Sequence, residues 1–525
     1  GMQLNILLFR INLNNIYICL SINVKSIMKA YLTTILILLS TSLVAQDNNI
    51  FLNRDFWKSK PSVKEIKQKI KEGHDPSASG PHGFDGVSYG IIDNAPLASI
   101  KYMLKQEGNP VDKLSHGGLA YLPWAAYKGN LELMEHLIEL GADPHAKNTG
   151  GTNMFLMAAL GGVEDQKVYD LILKNGVDIN YRNSNGANAL LLLASSNANN
   201  TSTFEYLLSK GISLESEDED GNGLINYASR GGNLPIMKMG VAKGLNYDKI
   251  NSKGENALFY ASYGRKRSKV QLETFQYLES LGLEADMVNW EGKTPLHNAI
   301  RRGNINVIDY FLERGVNINQ IDEHGNTALM NAIGGDIENI EKIIPLVSSV
   351  NHKNHEGHSA LTMAIKVGSK EAFDLLLKSG ADLKHTDVKG NNLLHYAFRD
   401  FRSSKKEVYS HIISTLHQNQ VKSSLVDEEG NTLAHMAVEK NSLFLLKQAI
   451  ALGADINHKN KDGLSSLHLA AMQASDNQLI TELMESGANK NILTQFEESA
   501  FDLANQNEQL TSNNVDINVL KITEK

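Results

Sequence analysis

The apolar positions of this chain recur in one compound rhythm, clearest over residues 291–324, EGKTPLHNAIRRGNINVIDYFLERGVNINQIDEH. Leu296 and Ala299 share one face of a short helix, and a second helix from about Ile305 to Glu313 buries Val307, Ile308, Phe311 and Leu312. Thr294 suits the N-cap, because its hydroxyl accepts from the free amides of the first turn. Pro295 follows where a missing N–H costs nothing. Gly303 ends the first helix, and Gly315 caps the second in the left-handed region. The VNIN segment then runs extended into a turn at Asp322–Gly325, where the pattern starts again. Two amphipathic helices this short cannot bury both faces alone, so each unit must stack on its neighbours.

A glycine before each capping residue serves as a ruler. It stands at Gly118, Gly151, Gly186, Gly221, Gly254, Gly292, Gly325, Gly357, Gly390, Gly430 and Gly463, spaced by 33, 35, 35, 33, 38, 33, 32, 33, 40 and 33 residues. At the threonine position some copies carry Asn153, Asn188, Asn256 or Asn392, which cap equally well. With TPLHNAI at 294–300, SSLHLAA at 465–471, and GADPHAKN, GADLKHTD and GADINHKN at helix ends, the pattern resembles the ankyrin repeat over roughly residues 84–510. The resemblance implies an all-α solenoid of about 12–13 helix–turn–helix repeats with short β-hairpin fingers. The array proper is expected over 117–495, after capping and degenerate repeats at 46–116 and before a degenerate last copy and tail at 496–525.

The ends read differently. Residues 1–27 have no repeat character and read as an upstream extension ahead of a start at Met28. Met28-Lys29 and the apolar run AYLTTILILLSTSLVA, ending at Ala45, form a secretory signal peptide too short to span a membrane. This predicts a bacterial array exported to the periplasm or beyond, with no stable membrane anchor after cleavage. Residues 62–73 have a helical apolar face and read as a half-repeat cap. Residues 74–90, rich in Gly, Ser and Pro, read as a loop, and 510–525 as a fraying tail. The extra residues of the two longest spacings are expected between helices, exposed, near Arg265–Val270 and Arg402–Lys406.

Charge narrows the partners. The formal net charge is −8, and losing residues 1–45 removes Arg10, Lys25 and Lys29 and no acid, which takes it to −11. An acidic chain is a poor match to nucleic acid or anionic membrane. The one cysteine, Cys19, precedes the signal, so the mature chain is held by packing alone, and a monomer is expected.

No catalytic motif emerges: there is no G-x-S-x-G, no H-E-x-x-H and no phosphate-binding glycine loop. The 17 histidines invite a metal reading. However, His297, His395, His435 and His468 occupy the TPLH column, where the resemblance implies a structural hydrogen-bonding role. His352, His385 and His458 form another column, whose rise of about 10 Å per repeat cannot share one ion. His352, His355 and His358 lie three apart in one finger and face different ways. LESEDEDG (214–221) reads as a solvated acidic turn. No metal, cofactor or enzyme activity is expected.

What remains is surface. In ankyrin repeats the partner meets the finger tips and the inward face of the first helix, which correspond here to positions −2, −1, +1, +9 and +10 from the ruler glycine. These give Tyr127, Lys128, Arg230, Tyr263, Trp290, Arg301, Arg302, His324, Lys366 and Arg399 as partner-binding candidates, with Asp400 beside them. Trp290, Tyr263 and the two arginines read as a basic, aromatic patch suited to an acidic protein partner. A protein-recognition scaffold is the leading reading. A secreted effector or host-interaction factor differs from it in destination, and an enzyme with its site in the finger loops is the third alternative.

Overall fold

The computed structural model describes residues 49–196, 201–265, 269–302 and 305–522. Residues 1–45, read as an upstream extension and a signal peptide, lie outside them. The chain divides into two compact units, Gly1–Ser184 and Asn185–Lys525. In the first, the described helices pair as Arg54–Lys58 with Val63–Lys71, Gly86–Ile92 with Leu97–Leu104, Tyr121–Tyr127 with Leu131–Glu139, and Met154–Leu160 with Gln166–Lys174. In the second, the pairs run from Ala189–Ala194 and Ser202–Ser209 to Ala500–Gln506 and Glu508–Ser512. First helices stack on first helices and second on second: Pro295–Arg302 lies between Ala257–Ser262 and Ala328–Ala332, and Leu272–Ser280 lies against Ile305–Glu313. The core is therefore continuous along each unit, with Leu296, Ala299, Val307, Ile308, Phe311, Leu329 and Ala332 all buried. Leu312 is half-buried, and Tyr310 takes the place expected of it in the core.

The asparagines at the threonine position cap as expected: Asn153, Asn188 and Asn256 accept from the amides of Leu156, Leu191 and Phe259.

The fingers are built from side chains rather than from strands. Three residues before the ruler glycines from Gly221 to Gly463 stands an Asn or Asp whose Oδ1 accepts two backbone amides of its own finger. Asn251 takes those of Lys253 (2.9 Å) and Glu255 (3.0 Å), and Asp387 those of Lys389 and Asn391, both at 2.8 Å. Most successive fingers are also joined by one backbone bond, as from Trp290 N to Lys253 O (2.9 Å) and from Val388 N to Glu356 O (3.1 Å). This corrects the expected β-hairpins. Among the described residues the fingers contain isolated bridges, such as Ile321 with Thr327, and no strand, because each closes over too few residues for a ladder.

The asparagines add a second tie. Asn251, Asn354 and Asn460 each donate Nδ2 to the preceding copy, to Oδ1 of Asn222, Asn326 and Asn431, all at 2.9 Å. Each of those acceptors turns its own Nδ2 to the Asp of its finger, Asp218, Asp322 or Asp427. At one junction the pattern fails. Asn391 is followed in the next copy by Asp427, which cannot donate, and Asn391 Oδ1 is buried without a partner.

Three further expectations are corrected. Residues 74–90 are not all loop, since Asp85 and Ser88 form a capping box that opens the helix Gly86–Ile92. The tail does not fray: Leu510 and Leu520 are buried, and Lys521 Nζ lies over the Phe501 ring. Residues 523–525 lie outside the described residues. The first insertion falls between helices, but Val270 is buried; the second does not, because Ser403–Lys405 form a 3-10 turn that runs into the 13-residue helix Lys406–Gln418. In the other, Lys405 Nζ donates to Val367 O (2.8 Å) and Gly368 O (2.9 Å), and Arg402 Nη2 to Lys366 O (2.8 Å). That insertion thus caps the preceding first helix with positive charge.

Two outcomes are expected. Ala299→Leu should lower unfolding free energy by about 1–3 kcal/mol, because the void beside Ala299 is only about 20 Å³. Unchanged denaturant melting would refute this placement. Asp427→Asn should raise stability by about 0.5–1 kcal/mol. Its new amide would satisfy Asn391, at the loss of a long 3.3 Å bond from Asn431. A destabilised variant would show that the junction gains nothing from the bond.

Candidate protein-binding surface

The histidine column is structural. His297, His395, His435 and His468 are buried, and the Nδ1 of each accepts the N-cap amide of its own helix at 3.0–3.2 Å, from Thr294, Asn392, Thr432 and Ser465. Nδ1 must then be unprotonated, which places the proton on Nε2. His435 and His468 donate from Nε2 across to the next copy, to Leu464 O and Ile492 O, both at 3.0 Å. Burial pushes His297 and His395 down to about 4, and lowers His435 and His468 as well.

The three-histidine finger does not converge. His352 Nε2 bonds Gly325 O (2.9 Å), His355 packs over Gly325, and His358 Nε2 bonds the Tyr396 hydroxyl (2.6 Å). No group of three metal-ligating side chains is present among the described residues.

In the first unit, Tyr127 and Lys128 close the helix Tyr121–Tyr127 and are half-buried. Tyr127 meets Trp124 edge-on at 6.1 Å and so continues a partly exposed strip of Trp124, Phe84, Tyr89 and His116.

In the second unit two cavities open between successive first helices and their fingers. One, of about 510 Å³, brings together two expected residues, Arg230 and Tyr263, and adds Asp218, Glu219, Asp220, Tyr227, Lys253, Glu255 and Tyr260. Tyr227 donates to Asp218 (2.9 Å) and Tyr263 to Glu255 (2.6 Å); burial, with these acids alongside, keeps both phenols neutral. Arg230 lies over the Tyr260 ring at 5.6 Å and donates to Gly264 O (3.1 Å).

The other cavity, of about 280 Å³, brings together Lys366 and Arg399. They lie over the Tyr396 ring at 5.9 and 5.1 Å, while the Tyr396 hydroxyl donates to Asp387. Asp400 also lines this cavity; burial raises its carboxyl above the usual range, and its Oδ2 has no partner.

The remaining candidates stand apart from both cavities. Trp290 is 69% exposed yet rests flat on the neighbouring finger. Gly254, at φ +77°, leaves no room there for a Cβ, which would lie 2.7 Å from the indole. Arg301 and His324 are exposed, and the side chain of Arg302 lies outside what is described.

Sequence reasoning missed the tyrosines six residues after the ruler, Tyr227, Tyr260 and Tyr396. The available signal was an acid three before the glycine paired with a tyrosine six after it, as in Asp218 with Tyr227 and Asp387 with Tyr396.

Residues 122–218 and 267–345 match the family described as ankyrin repeats (3 copies). Over those residues the chain carries ankyrin repeats. It is 38% identical over 117 residues to the nuclear factor NF-kappa-B p105 subunit of Gallus gallus, covering 22% of this chain and 11% of that protein. It is 27% identical over 125 residues to the phosphocholine transferase AnkX of Legionella pneumophila, covering 24% and 13%. The chain therefore spans only a small part of these relatives. Among solved structures it is similar to the ankyrin repeat domain of Bcl-3, at TM-score 0.35 and 23% identity, over 41% of this chain and 95% of that one.

The buried histidines make the ankyrin stack pH-sensitive. Between pH ~6.5 and ~4 the unfolded chain takes up protons that the folded imidazoles refuse, so stability falls as pH falls. For His297 and His395 the loss should be on the order of 2 kcal/mol each by pH ~5. His297→Gln should flatten the decline in denaturant melts between pH 7 and 5. An identical slope in the variant would contradict the assignment.

Proposed function

We propose that this chain is a non-catalytic recognition scaffold that binds another protein through its finger tips and first-helix faces. Ankyrin repeats along the chain support this. The observation that carries it is the pair of tyrosine-walled cavities, in which Arg230, Tyr263, Lys366 and Arg399 stand on faces that stacking leaves open. A residue supplied by a partner could replace water there and add directional contacts. Trp290 and Arg301 supply further exposed anchor chemistry. No helix of the described residues is long and apolar enough to cross a membrane.

The leader read at 28–45 supports an exported destination, periplasmic or beyond. A secreted effector shares this recognition chemistry, and fractionation of the native protein separates the two destinations.

The test is an affinity capture with three forms of the full chain: wild type, Trp290→Ala, and Lys378→Ala on a second helix. Wild type and Lys378→Ala should recover the same partner. Trp290→Ala should weaken binding by about 2 kcal/mol, roughly thirtyfold in affinity. A partner held equally by all three would move the surface away from Trp290. Turnover of substrate by the purified chain would instead favour an enzyme.

A further inference from the structure

The cavity between the fingers at Gly221 and Gly254 has a charge problem that the chain alone does not solve. Four carboxylates, Asp218, Glu219, Asp220 and Glu255, face two cations, Arg230 and Lys253. Both cations are already engaged: Lys253 Nζ pairs with Asp220 at 3.0 Å, and Arg230 spans the Tyr260 ring and the Gly264 carbonyl.

Glu255 is the decisive residue. It is only 1% exposed. Its Oε1 accepts from the Tyr263 hydroxyl (2.6 Å) and Asn289 Nδ2 (2.9 Å), and its Oε2 from Asn251 Nδ2 (3.1 Å). Every one of these donors is neutral, and no cation forms an ion pair with it among the described residues. A buried carboxylate whose nearby cation, Lys253, is paired with Asp220 instead is costly to keep, and one at a cavity wall can be neutralised by whatever enters. Glu219, at the exposed rim, also forms no ion pair among the described residues.

We propose that this cavity seats a basic side chain, arginine or lysine, presented by the protein partner; this rests on the scaffold reading above. The walls suit it. Tyr227, Tyr260 and Tyr263 stay neutral, so they add ring faces and no charge, and Arg230 over Tyr260 shows a guanidinium accommodated on one of those rings. An acidic side chain would meet net negative charge. The cavity around Tyr396, in the same phase of the repeat, has Lys366, Lys389 and Arg399 balanced against Glu356, Asp387 and Asp400, and so selects neither sign. The acidic finger LESEDEDG therefore supplies three wall carboxylates, where its sequence reads as a solvated turn. At this point of the surface the partner is basic, opposite in sign to the acidic partner that Arg301 and Arg302 suggest.

The probe is a phage-displayed random peptide library selected on the full chain. Enriched peptides are resynthesised with each arginine replaced by citrulline and each lysine by acetyl-lysine. The selected consensus should contain a basic residue, and its neutral isostere should bind wild type about tenfold more weakly. Glu255→Gln and Glu219→Gln should each lose about tenfold for the basic peptide and little for the neutral one, so that the substitutions are coupled. Glu219 is exposed, so its variant keeps the test valid if Glu255→Gln unfolds. Enriched peptides without a basic residue would overturn this inference and leave the scaffold standing. So would a basic peptide held equally by wild type and Glu219→Gln. A library that enriches nothing would overturn both.

Discussion

The stack from Gly221 to Gly463 depends on one carboxamide or carboxylate per copy, three residues before the ruler glycine. Its Oδ1 gathers two backbone amides and so fixes the turn that sends the chain from one helix pair to the next. With the turn fixed, the N-cap that follows lands in register with its neighbours, and the first helices stack at constant phase. The apolar faces then form one continuous wall within each unit rather than a set of small separate cores. Helices of six to nine residues, marginal on their own, become stable because each is held at both ends and on two sides.

The same constraint determines where chemistry can appear. Positions that face a neighbouring copy are given over to Ala, Leu, Ile and capping groups. Positions six and nine after the glycine line the side on which the cavities open, and in several copies the chain places tyrosine, arginine or lysine there. Because register is constant, an acid on a finger comes within reach of a tyrosine on the helix that follows it. Asp218 with Tyr227 and Asp387 with Tyr396 are two instances of one geometric permission.

Much of this was legible in sequence where the cause is local. The helix Ile305–Glu313 has the bounds its apolar spacing gives, and the asparagines at the threonine position cap as their chemistry requires. The helix at Gly86–Ile92 was hidden because glycine and serine around it read as loop, whereas the Asp85–Ser88 box and burial against Trp57 decide the outcome. The tail looked aperiodic, yet Leu510 and Leu520 cover a last copy that would otherwise expose its face. For the surface, phase alone brought out Arg230, Tyr263, Lys366 and Arg399. It did not reveal that they meet in pairs in two cavities, nor that the burial of Glu255 reverses the sign of one of them. Those facts depend on how far each side chain reaches across copies, which spacing does not encode.

The ladder of fingers has a direction, and this bears on how such a chain can change over generations. Repeat arrays lengthen and shorten by gaining and losing whole copies. Here a copy with Asp before its glycine carries Asn after it, and it offers an acceptor to the copy that follows. A copy with Asn before its glycine supplies the matching donor. Copies are thus not interchangeable beads but words with a grammar, and a duplication or deletion leaves a clean sentence only when acceptor still meets donor. The Asn391–Asp427 junction, where acceptor meets acceptor, is a place where that grammar is already broken.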